Sequence, residues 1–309
     1  MTNGKGIVFL YCLLLCNYYN AKSQELEPRA YANVPVGSTA VALVYGYSHG
    51  NVLTDPSKPI EGASLHAHSI GMGYVRTFSF LNKLSRIQFT WPASFLVGKA
   101  TVDGRDTSVT RNGFGDARIR FGINLLGSPA LTPKEFRNYE QKTIFGVSFV
   151  TSVPVGNYYK EKLINLGSNR WAFKPEIGIS RRFEHVYAEA YTGVWFFTEN
   201  RSYLVNKIQR QQPVFSFQGH FSYYFKNQMW IGVNGTWFSG GKTFIDDVPA
   251  GNLEDNWRVG ATWSFPLTKQ QSLKLQYHVG AFTSTGYDYN MLSITYQYLF
   301  LRKTKTGVN

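Results

Sequence analysis

Charged residues recur at every second position inside an otherwise apolar stretch, GFGDARIRFGINLLG, at residues 113–127. Asp116, Arg118 and Arg120 carry the charges, whereas most of their neighbours are Ile, Phe, Leu or Gly. Burying an unpaired charge in an apolar environment is costly. In a β-strand, however, residues two apart share a face. The three charges would then lie on one polar face, where they could form ion pairs or select a charged solute.

Other segments contain comparable polar positions opposite apolar ones. If the apolar faces meet lipid, the opposite faces line a lumen, and two roles are open for the residues there. They could brace the wall by pairing across strands, or they could form a selectivity or substrate-binding ring. The candidate lumen residues are Asp116, Arg118, Arg120, Lys174, Glu176, Arg182, Glu189, His220, Lys242, Arg258, Lys274 and His278.

Patterns typical of catalysis or metal binding are weak in this chain. His220 and His278 are not accompanied by a serine and an acid at a spacing that marks a triad. His66 and His68 are two apart in a strand, which is more typical of plain polar residues than of metal ligands. The Gly-Gly-Lys sequence ending at Lys242 lacks the first glycine of a phosphate-binding loop. We therefore predict no enzyme, no catalytic residue, no cofactor and no metal site.

The elements that must position these residues are strands, because apolar and polar residues alternate with period two. About twelve such segments are centred near residues 43, 71, 92, 120, 148, 177, 192, 220, 236, 262, 278 and 295. Long polar connections follow the first, third, fifth, seventh and ninth segments, and most of the others are short. Thr132, Pro133 and Glu135 predict a capping box at the start of one short helix.

An even number of strands, with short turns at one end and long loops at the other, is typical of an outer-membrane barrel. A soluble β-sandwich also alternates. It would have to bury more Phe, Trp and Tyr than one core of this size uses, and the apolar faces carry almost no charge except Arg76 and Arg181. We predict an all-β, antiparallel, up-and-down transmembrane barrel of about twelve strands with one short periplasmic helix. Pro92 and Pro175 fall inside strands, where we expect bulges.

The amino-terminal residues resemble a cleavable export signal. Lys5 precedes an apolar core at residues 7–16, and a small-residue cleavage site ends at Ser23. Both cysteines, Cys12 and Cys16, lie in this signal, so the mature chain would contain no disulfide. We predict a signal peptide at 1–23, a periplasmic segment and candidate plug at 24–37, a barrel at 38–300 and a tail at 301–309.

The chain of 309 residues carries a formal net charge of +13. Its basic residues are scattered over many predicted outer loops instead of one helix, which argues against a nucleic-acid partner. There they could meet the phosphates of outer-leaflet lipopolysaccharide. The predicted partners are therefore a small-molecule substrate and outer-membrane lipid, with no prediction of oligomeric state.

Three segments together resemble a known family: LEPRAYANVPVGSTAVALVYGYSHG, GFGDARIRFGINLLGSPALTPKEF, and KLINLGSNRWAFKPEIGIS followed by YTGVWFFTEN. They are similar to outer-membrane proteins assigned to transport in the MetA pathway of phenol degradation, over essentially the whole mature chain. The resemblance implies an outer-membrane β-barrel that passes small compounds, with aromatic or hydrophobic molecules as candidates. It implies no particular catalytic or binding residue.

These observations predict a channel for passive uptake or efflux of small molecules. One alternative is a structural or adhesive barrel with a closed lumen. The other is an outer-membrane lipid hydrolase, which would require Ser and His on the outward faces near the outer rim. The outward faces assigned from the sequence are nearly bare of both residues.

Overall fold

The computed structural model describes residues 28–53, 60–102, 104–250, 253–283 and 286–301. The predicted signal at 1–23, residues 24–27 of the predicted plug and residues 302–309 lie outside them. The strands are β1 Ser38–Leu53, β2 Ile60–Phe80, β3 Lys83–Val102, β4 Arg105–Phe114, β5 Ala117–Leu126, β6 Thr143–Val153, β7 Ala172–Phe183, β8 Val186–Phe197, β9 Asn200–Tyr203, β10 Lys207–Gln211, β11 Val214–Tyr224, β12 Trp230–Gly240, β13 Thr243–Ile245, β14 Val248–Pro249, β15 Glu254–Pro266, β16 Gln271–Thr283 and β17 Gly286–Leu301.

Twelve antiparallel wall strands close into a barrel because the first strand pairs with the last. β1 pairs with β17 from Ser38 opposite Leu301 to Leu53 opposite Gly286, and its other edge pairs with β2. β4 and β5 count as one wall strand, since both pair with β3 at different heights. The remaining neighbours follow the sequence order. Closure gives the first and last described strands a partner on both edges, and it confirms the predicted barrel of about twelve strands.

The two faces of the wall differ as the alternation predicts, and β11 illustrates the difference. Phe217 and Phe221 point outward and are 41% and 60% exposed, whereas Ser216 and His220 point inward and are at most 1% exposed. The outward side chains are large and apolar, as required by lipid contact. The barrel therefore has an apolar outer wall and a polar interior.

The fourth wall strand is interrupted between β4 and β5, opposite Pro92. Thr90 pairs with Arg118 and Ala93 pairs with Phe114. Three residues of the fourth strand therefore span the same distance as two residues of β3, which is a bulge. The backbone N–H of Gly115 donates to the Pro92 carbonyl at 2.8 Å. The bulge predicted at Pro92 is confirmed.

The bulge predicted at Pro175 is wrong. β7 keeps a single register with β6 and with β8 on both sides of this residue. The β7–β8 ladder instead omits the pairs of Lys174 and Pro175. Proline has no N–H to donate, so the ladder is interrupted without a change of register.

The long connections gather at one end of the barrel and are more ordered than the sequence indicates. β9, β10, β13 and β14 form a second antiparallel sheet of four short strands there. Residues 99–112, predicted as a polar loop, belong mostly to the extended hairpin of β3 and β4, in which Lys99 pairs with Ser108 and Ala100 with Thr107. This prediction was wrong because Thr and Val alternate in the segment and favour strands, even beyond the wall.

In β2 the sequence pattern alone does not distinguish the two faces, because His66 and His68 share a face with Ile70 and Met72, and burial shows which face points outward. Ile70 and Met72 are more than half exposed and lie on the same face as the exposed His66 and His68. Leu65 is buried on the opposite face. The histidines of β2 are therefore on the outer wall.

The predicted short helix is present as α1, Pro133–Phe136. Thr132 is its N-cap, and both bonds of a capping box with Glu135 are formed, with Pro133 at the first helical position. This confirms the capping signal read from the sequence. Among the described residues, the helical structure is too short to cross a membrane.

The outer face of β11 provides a test of the wall's orientation. Phe217→Arg places a charge on the lipid-facing side and should lower the free energy of unfolding by about 2–4 kcal/mol, measured by urea titration in liposomes. Phe217→Leu keeps the position apolar and is the control, with a much smaller loss expected. Equal stability of the two variants would contradict an outward position in lipid.

Candidate lumenal site

Asp116 lies at the break in the fourth wall strand and holds the connection between β6 and β7. Its Oδ1 accepts from the backbone N–H of Gly156 at 3.0 Å, and its Oδ2 accepts from that of Ser168 at 2.8 Å. The Ser168 hydroxyl donates to the same Oδ2. Three donors from two ends of one loop therefore converge on one carboxylate, which is a strong arrangement because the acceptor is charged.

This connection, residues 154–171, turns into the barrel, and we refer to it as the inward segment. Ile164 packs against the buried cluster of Leu65, Ala67 and Leu96 on the interior faces of β2 and β3. The carbonyl of Ile164 accepts from Nε of Arg111 at 2.7 Å. The inward segment therefore narrows the lumen at the end with the long connections.

Glu176 is the centre of the charged row on β5 and β7. Its Oε1 accepts from Nη2 of Arg120 at 2.5 Å, and its Oε2 accepts from Nζ of Lys174 at 2.6 Å. Glu176 and Lys174 are almost completely buried. Arg120 reaches Glu176 past β6, whereas Lys174 pairs with Glu176 along β7 itself. A buried charge needs such partners.

The N-terminal segment, residues 28–37, runs inside the barrel. Arg29 forms an ion pair with Glu189 at 3.4 Å, and its backbone N–H donates to the same carboxylate at 2.7 Å. Arg86 of β3 donates to the carbonyls of Ala30 at 2.5 Å and Ala32 at 2.6 Å. β3 and β8, four strands apart in the wall, therefore hold this segment from both sides of one half of the barrel.

Tyr31 is the buried anchor of the N-terminal segment, with 2% of its surface exposed. Its hydroxyl donates to Glu176 at 3.1 Å. Burial, followed by the neighbouring Glu176 carboxylate, raises the pKa of Tyr31 to about 12, so the hydroxyl keeps its proton. The ring lies over Gly146 and Gly178, where a Cβ atom would overlap it. Glycine is required here because the tyrosine ring approaches the wall backbone so closely.

Arg118 faces an apolar patch that interrupts the polar interior. Its guanidinium carbon lies 5.6 Å from the centre of the Trp195 ring, and Lys174 Nζ lies 5.3 Å from the same ring. Trp195 packs with Val214 and Phe238 in a buried cluster on β6, β7, β8, β11 and β12. Two cations therefore flank one aromatic ring, an arrangement that stabilises both the charges and the ring inside the wall.

A chain of neutral polar groups crosses the opposite wall. His220 Nδ1 lies 2.8 Å from Asn234 Oδ1, and Asn234 donates to the Thr262 hydroxyl at 2.9 Å. The buried His278 ring lies over Gly260, directly opposite it on the neighbouring strand. The neighbouring strands β11, β12, β15 and β16 therefore offer hydrogen-bonding groups beside two interior cations, Arg258 and Lys274.

The remaining predicted site residues lie at different heights. Arg258 is buried, stacks 3.7 Å from the Tyr289 ring and donates to the Tyr289 carbonyl at 2.8 Å. Lys274 is half-buried on the interior face of β16, opposite the buried Thr295. Arg182 lies at the short-turn end, where its Nε donates to the Glu184 carbonyl at 2.7 Å.

Lys242 does not lie on the interior face of a wall strand, where the sequence analysis placed it. It follows the end of β12, and its Nζ lies 5.5 Å from the Phe244 ring of the second sheet. Gly240 and Gly241 both have positive φ and turn the chain out of the wall. The prediction that Lys242 continues the interior face of β12 is therefore wrong.

Several residues of this region were absent from the sequence prediction. Tyr31, Arg86 and Trp195 have no motif, and only the apolar character of both faces of β8 hinted at an aromatic side chain inside. Arg170, at the end of the inward segment, is 3% exposed and donates to Gln211. Burial lowers the pKa of Arg170 to about 10, against the opposing effect of Glu254 and Asp116, so its side chain remains charged at neutral pH.

The chain is similar to known proteins both in sequence and in fold. A family model described as "Putative MetA-pathway of phenol degradation" matches residues 59–294. An outer membrane channel from Pseudomonas putida F1 is 18% identical with a TM-score of 0.73, over 89% of this chain and 100% of that one. The transport unit of the autotransporter AIDA-I from Escherichia coli is 8% identical with a TM-score of 0.52, over 94% and 97% of the two chains. No curated protein matches the chain.

The anchoring of the inward segment by Asp116 can be tested by proteolysis. Asp116→Ala removes the acceptor of three donors, and trypsin cleavage at the exposed Lys160 and Lys162 should become about tenfold faster. Asp255→Ala is the matched control, because Asp255 accepts from the indole N–H of Trp237 on the outer face of the wall. Unchanged cleavage in the Asp116 variant would show that this carboxylate does not hold the segment.

Proposed function

The chain belongs to the family described as "Putative MetA-pathway of phenol degradation", and from that premise we propose that it is a passive outer-membrane channel for small molecules. The observation that carries the proposal is the closed barrel of twelve wall strands with a polar interior. A barrel wider than about eight strands is not filled by its own side chains. The space inside is occupied in part by the N-terminal and inward segments.

The two inner segments set the width of the path. The N-terminal segment is held by β3, β5, β6, β7 and β8 through Arg86, Asn124, Ser148, Glu176 and Glu189. The inward segment contacts β2, β3 and β4. The N-terminal segment and the inward segment therefore contact the same half of the wall. We place the path along the other half, past Asn234, Thr262, Gln276 and His278, with the N-terminal segment as its plug; all of these side chains except Gln276 are buried in this structure.

The interior charges favour anions along this path. The interior cations on the described strands are Arg86, Arg111, Arg118, Arg120, Lys174, Arg182, Arg258 and Lys274, and the interior carboxylates are Asp116, Glu176, Glu189 and Glu254. Since cations outnumber carboxylates, the field in a narrow, partly dry lumen attracts negative solutes. Together with the apolar patch around Trp195, this supports small aromatic or hydrophobic molecules that carry an anionic group as the cargo.

The hydrolase alternative needs a serine and a histidine together on the outer face. Contrary to the sequence expectation, that face does carry histidines, because His66 and His68 are exposed on β2. Their Nδ1 atoms are hydrogen-bonded to the hydroxyls of Tyr47 and Tyr45, not to a serine. This arrangement gives no activated nucleophile, so the channel is the better-supported function.

The channel is tested by conductance and by its ion preference. The refolded protein in a planar bilayer should conduct, and a salt gradient should give a reversal potential that favours anions. Lys274→Gln should lower the anion-to-cation permeability ratio, because it removes an interior charge from the open half of the wall. Lys226→Gln makes the same change at an exposed turn between β11 and β12 and should leave the ratio unchanged. No conductance, together with no faster uptake of aromatic solutes into liposomes, would favour the closed structural barrel instead.

The plug is tested at Gly178. Gly178→Ala places a methyl group against the Tyr31 ring and should displace the N-terminal segment, which would raise the conductance. Gly219→Ala is the matched control, because its Cβ would meet no atom within 4 Å. Both variants should keep the barrel folded, as judged by heat-dependent gel migration. A Gly178 variant that is folded and has wild-type conductance would argue against a plugging role for Tyr31.

A further inference from the structure

Three of the chain's six histidines lie together on the outer wall of β1 and β2. His49 is directly opposite His66, and Tyr47 is directly opposite His68. The rings of His49 and His66 are stacked, with centres 6.0 Å apart, and Tyr47 lies 4.9 Å from His68. Tyr45 completes the group. We refer to these five residues as the imidazole cluster.

The cluster lies at the height where the outer wall leaves the apolar part of the membrane. His49 is eleven positions above the start of β1 at Ser38. A tilted strand rises about 2.5 Å per residue along the barrel axis, which places His49 roughly 28 Å above that start. The apolar band of such barrels is about 25 Å tall. By the same measure Tyr47, which is opposite His68, lies about 23 Å above that start. The cluster therefore spans the upper edge of the apolar band, with His49 and His66 at the height of the lipid headgroups.

Elsewhere on the described outer wall, this height is occupied by apolar rings. Exposed Phe and Trp residues lie nine to twelve positions above the short-turn ends of their strands: Trp171, Phe196, Phe215, Trp257 and Phe282. Such a ring of aromatic residues is expected at the membrane interface. Imidazoles replace it only at β1 and β2 among the described strands, so this sector of the rim has a different chemistry from the rest.

The hydrogen bonds within the imidazole cluster leave the Nε2 atoms of His66 and His68 as donors on the outer face. The Tyr45 hydroxyl lies 2.8 Å from Nδ1 of His68, and the Tyr47 hydroxyl lies 3.1 Å from Nδ1 of His66. When a tyrosyl hydroxyl donates to Nδ1, the neutral imidazole carries its proton on Nε2. Two N–H donors are then held on the outer face by ordered rings.

A cation lies beside these donors. Lys99 of β3 is exposed and directly opposite Ser64, which lies on the same face of β2 as His66 and two positions above it. Diagonal neighbours in a sheet are about 7–8 Å apart, within reach of a lysine side chain. A metal ion is a poorer fit, because no three metal-binding side chains among the described residues are arranged to hold one.

We propose that the imidazole cluster and Lys99 bind the phosphate group of an outer-leaflet lipid. The inference rests on the proposed outer-membrane location. Imidazole N–H groups and a lysine ammonium are donors to phosphate oxygens, while the apolar wall below, with Ile70 and Met72 exposed on β2, contacts the acyl chains. The bound lipid would seal the rim over β1, β2 and β3, next to the pair of β1 and β17 that closes the barrel.

Native mass spectrometry of the full protein in dodecyl maltoside tests the proposal. Lipid A carrying both phosphates should bind about tenfold more tightly than the same lipid with its phosphates removed. H49F/H66F/H68F restores the aromatic ring found elsewhere on the rim and should abolish this preference, and Lys99→Gln should weaken it. F215L/W257F is the control on the far side of the rim and should keep it. Inorganic phosphate in large excess should not displace the lipid.

Three results would overturn the assignment. One is equal binding of the two lipids, and another is a preference that survives in the triple histidine variant. The third is full displacement by inorganic phosphate, which would indicate a site for a free anion. Conductance is measured on the same preparations and should be the same for the triple variant and the wild type. A protein that conducts but shows no lipid preference refutes only this site, and one that binds lipid A but does not conduct refutes only the channel.

Discussion

The backbone hydrogen bonds of the wall are the constraint on which the structure depends. Within lipid every N–H and C=O group must find a partner in the protein, and pairing β1 with β17 satisfies the last free edges. Once the ring is closed, each strand has one face toward lipid and one toward the interior. The period-two pattern, with Phe217 outside and His220 inside, follows from closure.

Closure also creates the problem that the interior charges solve. Polar side chains that point inward lose bulk water wherever the lumen is narrow, so they need partners. Glu176 obtains them from Arg120, Lys174 and Tyr31, and Asp116 obtains them from the backbone of the inward segment. The same bonds that satisfy these carboxylates pull two chain segments into the barrel. The charged row thus both braces the wall and determines where the lumen is filled.

The wall could be predicted from the sequence because alternation and turn spacing are local signals. Twelve strand centres, the helix cap at Thr132 and the bulge at Pro92 all follow from short windows of residues. The pairing of Lys174 with Glu176 was accessible for the same reason. The partners of Asp116 were not, since Gly156 and Ser168 reach it only through the path of a 154–171 loop that has no period. Lys242 was misassigned because two glycines with positive φ end the strand just before it.

The position of Tyr31 could not be predicted from the residues near it in the sequence. A tyrosine in a short segment before the first strand has no pattern. Its ring fits only because positions 146 and 178, far from Tyr31 in the sequence and directly opposite each other on β6 and β7, lack a side chain. Those glycines look like ordinary weak points in strands until the ring is placed against them. The half of the wall that holds Tyr31 is therefore specialised for packing. The half with Asn234, Thr262 and Gln276, which also carries the interior cations Arg258 and Lys274, is the half that we propose for a solute.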